Sequence, residues 1–149
     1  MIVEAQVCIN GSKQAIWAAI TDIENAAKVI SGIEAVEVLE RPESGWVGVK
    51  WRETRTMFGK QATEVMWVTE AVENEFYTTR AESHGFVYLS TVSMVEQAGG
   101  FALVRTHVSK PQGFVAKLMS LPMGLAFRGV MKKCLMQDLN DIKAAVEKG

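Results

Sequence analysis

The sequence predicts a single α+β domain in which a curved antiparallel sheet of about seven strands wraps around a long C-terminal helix. Three observations carry that prediction. From Glu34 onward, β-rich segments alternate with short turn motifs. After Pro111-Gln112-Gly113 the apolar residues change to helical spacing and keep it to the end. No repeat, low-complexity tract or linker interrupts the 149 residues, so one domain over residues 1–149 accounts for all of them.

The chain opens on alternation. Val3, Ala5, Val7 and Ile9 occupy every second position, giving a strand one apolar face, and Asn10-Gly11 ends it. Ser12 can cap a helix that carries Ala15, Ile16, Trp17, Ala19 and Ile20, and Asp22 can cap a second short helix running to Ser31-Gly32. Six strands follow as a meander, punctuated by Arg41-Pro42-Glu43-Ser44-Gly45, Phe58-Gly59, Glu73-Asn74, His84-Gly85 and Ala98-Gly99-Gly100. In the closing helix Met119, Phe127, Met131, Leu135, Leu139 and Ile142 share a stripe, and Pro122 and Gly124 are expected to kink or interrupt it near its start.

Composition excludes several classes of function. Hydrophobic residues make up 48% and charged residues 22%, a globular mixture able to bury a core. Lys plus Arg (16) nearly cancel Asp plus Glu (17), so no overall field draws the molecule to nucleic acid or to an anionic membrane. No run approaches the ~20 apolar residues of a membrane span, and MIVEAQVCI shows neither a basic leader nor a cleavable apolar segment. A cytoplasmic protein without stable membrane insertion is therefore expected, as a monomer or weak homodimer. Cys8 and Cys134 stand apart, without zinc or redox spacing, and are expected as two buried free thiols.

This order of elements resembles the superfamily of START lipid-transfer domains and birch-pollen-allergen-like proteins, in particular its bacterial polyketide cyclase/dehydrase-like branch. The resemblance covers essentially the whole chain. It rests on the opening strand, the helix pair from Ser12 to Gly32, the Phe58-Gly59 and Gly99-Gly100 hairpins, and the closing Leu139-Asn140-Asp141-Ile142-Lys143. One departure is Phe101, where relatives often place Thr after the paired glycines. The resemblance implies the helix-grip fold and an internal cavity for a small hydrophobic ligand, of lipid, polyketide or aromatic type. It implies no catalytic residue, because the family has no invariant catalytic signature to carry over.

Hairpin registers propagate one face assignment through the sheet. A two-residue turn at Phe58-Gly59 pairs Trp51 with Met66, Val49 with Val68 and Glu53 with Glu64, and puts Lys50 and Arg52 outside against Trp67. The inner face then gains Tyr77, Thr79, Ala81 and Ser83, and after His84-Gly85 Tyr88, Ser90 and Val92. These are mostly small side chains, which cannot fill the volume under a helix. Trp51, Met66, Tyr88 and Val104 are expected as apolar walls, with Tyr77, Thr79 or Ser90 orienting a ligand and Met119, Met123, Phe127 and Met131 facing it from the helix. A bulged Gly99-Gly100 loop puts Ala102, Val104, Thr106 and Val108 inside, whereas a two-residue turn puts Arg105 and His107 there. The bulged form is expected, since its inner face is the more apolar.

Reactive groups are few. Glu53 opposite Glu64 would form an acid/base pair if desolvated, but a solvated rim neutralised by Arg55 is expected. Neither His84 nor His107 has a companion at metal-ligand spacing, and no phosphate loop, dinucleotide fingerprint or nucleophile elbow occurs, so neither metal nor cofactor is expected. The leading expectation is a binding or carrier protein whose partner is a small hydrophobic molecule. The alternatives are a cyclase- or dehydratase-like enzyme in which Glu53, Tyr88 or His107 shuttles a proton, and a protein-interaction module with a filled core.

Overall fold

The computed structural model of the chain describes residues 1–57, 59–114 and 124–148. Strand β1 (Ile2–Ile9) leads into two short helices, α1 (Lys13–Thr21) and α2 (Ala26–Val29), joined by a 3₁₀ turn at Ile23–Asn25. Then come β2 (Ile33–Glu40), β3 (Lys50–Met57), β4 (Lys60–Val72), β5 (Phe76–Ser83), β6 (Phe86–Gln97) and β7 (Gly100–Pro111), and helix α3 (Gly124–Lys148) follows. All seven strands form one antiparallel sheet in the order β1-β7-β6-β5-β4-β3-β2. The seven strands, the helix pair and the long terminal helix agree with the sequence reading.

Local chemistry explains the boundaries. The Ser12 hydroxyl accepts the Ala15 N–H at 3.1 Å and so caps α1, satisfying one of the donors a helix start leaves open. Between Ser83 and Phe86, His84 and Gly85 both take positive φ (51° and 80°), the conformation that lets a two-residue turn match the twist of its strands. Trp51 pairs with Met66 and Glu53 with Glu64 as expected. On the outer face the Lys50 ammonium lies 6.0 Å from the Trp67 ring centroid.

The last hairpin corrects the sequence reading. Gln97 pairs with Gly100, so the loop holds only Ala98 and Gly99. Gly100 is needed for another reason, because a Cβ there would sit 2.6 Å from the Ile9 carbonyl oxygen, where β7 starts against β1. In this register Val92 pairs with Arg105 and Ser90 with His107, which turns both basic side chains inward. Val104 and Thr106 face the other way, and the Thr106 hydroxyl donates to Glu4 at 3.2 Å.

The core has two parts. Val3, Ile9, Ile16, Leu103 and Leu139 centre one cluster between β1, α1, β7 and α3, and Ile23, Val49, Trp51 and Val68 form the other. Helix α3 lies against β1 and presents Leu135, Leu139 and Ile142 to the core. Phe127 stands 36% exposed, whereas Met131 packs on the first cluster. The expected contributions of Met119 and Met123, and the expected break at Pro122, fall outside the described residues. Both cysteines are free, but Cys8 is exposed rather than buried because it occupies the outward position between Val7 and Ile9, and Cys134 is only partly covered. No described helix is long and apolar enough to cross a membrane.

Candidate functional site

A cavity of about 280 Å³ lies between the sheet and the helices. Trp51, Met66, Thr79 and Val92 form its floor, Ala19, Ile20 and Ile23 contribute the roof from the α1–α2 segment, and Leu139 and Ile142 close it from α3. Tyr77 joins floor to roof: its hydroxyl donates to the Ile20 carbonyl at 2.9 Å, and burial pushes the phenol up to about 12.

One end of this apolar space carries a cluster of charges. Asp138, only 3% exposed on α3, accepts Arg55 through Nη2 at 2.6 Å and Nη1 at 3.2 Å, and Arg105 through Nη1 at 3.2 Å. Arg55 Nε donates to Glu53 at 2.7 Å, and Arg105 Nε donates to the Ser90 hydroxyl at 3.2 Å. Two arginines from strands β3 and β7 thus meet two carboxylates, and every member has a partner, as buried ions require. Burial by itself would lower the Arg55 pKa, but the hydrogen bonds to Asp138 and the charges of Glu53 and Asp138 outweigh it and raise the value above its ordinary one.

Further along the concave face sit Glu64, Tyr88 and His107. Burial, followed by the opposing Glu53 charge, pushes the Glu64 carboxyl up, while His84 and Arg55 offset part of the rise. Burial and then Glu64 push the Tyr88 phenol up. His107 moves down to about 4, through burial first and then the positive charges of Arg105, the N-terminal ammonium and Arg55. Its ring stacks on Tyr88 at 5.7 Å between centroids, and its Nε2 has no hydrogen-bond partner among the described residues.

Trp51, Met66, Tyr77, Thr79 and Ser90 from the sequence reading therefore line the cavity, and Glu53 lines its charged end. Tyr88 and His107 face inward without being among its described walls, and neither are Val104, Thr106, Phe127 and Met131. Glu53 stands in a largely buried cluster rather than on a solvated rim, although Arg55 does neutralise it. Sequence reasoning missed Asp138 and the roof residues of α1 and α2. For Asp138 a signal existed: it stands three residues after Leu135 and four before Ile142, a carboxylate inside an apolar stripe. Among the described residues no three His, Cys, Asp or Glu side chains converge to hold a metal.

A sheet gripping a terminal helix above a walled cavity defines the helix-grip architecture. The chain belongs to the family described as polyketide cyclase/dehydrase and lipid transport, whose model matches residues 1–147. No curated relative matches at the level of sequence. Among solved structures, protein TTHA0849 of Thermus thermophilus is similar at TM-score 0.82 and 15% identity, covering 99% of this chain and 98% of that one. A START superfamily protein of Mycobacterium smegmatis matches at TM-score 0.81 and 17% identity, over 99% and 97%. The Zhui aromatase/cyclase of Streptomyces sp. R1128 matches at 0.80 and 18%, over 99% and 94%. At these identities the likeness is one of fold.

Proposed function

We propose that the protein binds a small, largely apolar molecule in the cavity between the sheet and the α1–α2 roof, as a carrier or binding protein. The observation that carries this reading is the cavity itself, about 280 Å³ of space walled by apolar side chains with its charges gathered at one end. Interiors otherwise pack to crystal-like density, and a mostly apolar hollow with a few convergent polar groups is the usual form of a small-molecule site. The family description, which joins cyclases and dehydrases with lipid transport, supports the same reading.

Acid/base chemistry has less support from these residues. Glu53 is engaged by Arg55 at 2.7 Å, and an imidazole with a pKa near 4 is a weak base at neutral pH. The test is titration with prodan, an uncharged environment-sensitive dye, together with native mass spectrometry of the purified protein. Saturable uptake of one dye per chain, displaced by apolar competitors, is expected. Absence of any saturable uptake would remove the carrier reading.

A further inference from the structure

The ion cluster at the end of the cavity also bears on the charge of the ligand, granted the binding role proposed above. Arg55 and Arg105 are matched by Glu53 and Asp138, so the buried cluster carries no net charge. Asp22 at the cavity rim adds a negative charge, and among the described residues no lysine lines the space. Glu64, paired across from Glu53, is a further acidic neighbour. A carboxylate entering this cavity would shed its hydration and find each arginine already compensated.

Hydrogen-bonding capacity is nevertheless left over. A guanidinium has five N–H donors. Arg105 spends one on Ser90 and one on Asp138, leaving three without an acceptor among the described residues. Its side chain is 24% exposed against 18% for Arg55, and it lines the cavity beside Ser90 and Thr79. Donors without surplus charge suit a neutral acceptor. We propose that the cavity selects an uncharged ligand bearing a carbonyl or hydroxyl oxygen for Arg105, and discriminates against the corresponding carboxylate.

Two nearly isosteric probes separate these chemistries: 2-acetylnaphthalene and 2-naphthoate, each titrated at pH 7.5 against prodan. The wild-type protein is expected to bind the ketone at least about tenfold tighter, equivalent to ~1.4 kcal/mol. Glu53→Gln leaves the cluster with a surplus positive charge and should gain about tenfold or more for 2-naphthoate. Asp138→Asn should do the same, and Glu53→Gln serves alone if that variant does not fold. Arg105→Leu should lower the affinity ratio of the ketone to naphthalene about tenfold, and an unchanged ratio overturns the role of Arg105. Equal or tighter binding of 2-naphthoate by the wild type, or no gain in Glu53→Gln, overturns the selectivity while prodan uptake keeps the cavity reading standing. Failure of prodan and both probes removes both together.

Discussion

Asp138 is the residue on which the interior charges converge. A buried ion pair adds little over a well-packed apolar substitute, but deleting one partner strands the other. Asp138→Ala would leave two guanidiniums with the single carboxylate of Glu53, and is expected to cost about 3 kcal/mol, the low end for a broken buried pair because Arg55 keeps Glu53 and Arg105 keeps the Ser90 hydroxyl. Arg105→Ala leaves Asp138 still held by Arg55 through two hydrogen bonds, and should cost clearly less. Urea denaturation of both variants checks the ranking. Equal losses would mean that the carboxylate stabilises the fold through Arg105 alone. A loss below about 1 kcal/mol for Asp138→Ala would place the cluster in effectively aqueous surroundings.

Among the described residues, the α1–α2 segment contributes a cavity wall that sequence analysis did not name. It supplies most of the helical side of the cavity among the described residues, held in place by the Ser12 cap and by the bond from Tyr77 to Ile20. Ala19→Leu should extend into the cavity, block prodan and cost less than the ~1 to 3 kcal/mol of overpacking in a dense core. Thermal unfolding with dye titration tests this, and strong destabilisation with dye uptake intact would show that Ala19 faces packed atoms. Strands were legible because turn chemistry is local. His84-Gly85 states its own conformation, and from it the inward set Thr79, Ala81, Tyr88 and Ser90 follows by alternation. The roof was not legible, because Ala19 and Ile23 look like any helical core residues until the distance to the sheet is known. Nor was the face of β7: Val104 and Thr106 made the apolar choice, and Arg105 is tolerated inside only because Asp138, 33 positions later, receives it.

At the scale of the whole molecule, buried titratable groups make stability depend on pH. The unfolded chain protonates His107 near its ordinary 6.5, the folded one only near 4. Between those values the unfolded state binds more protons, so stability falls as pH drops from about 6.5 towards 4. Glu64 acts in the opposite direction, since a carboxyl raised by folding adds stability as it protonates. From pH 7 to pH 5 the histidine contribution is a loss of about 1 to 2 kcal/mol. Chemical denaturation at both pH values should show a smaller loss in His107→Asn than in the wild type, and identical losses would exclude the imidazole as the cause. Order of assembly follows from the same interior. Strands β4, β5 and β6 lie between β3 and β7 in the sheet, yet one carboxylate on α3 joins the outer two. During synthesis, at roughly 5–20 residues per second, Arg55 and Arg105 are both joined to the chain before Asp138. Until then Arg105 has no carboxylate partner, whereas Arg55 already has Glu53 two residues away. The tie between β3 and β7 is therefore a late event in the life of the nascent chain, made only when α3 docks.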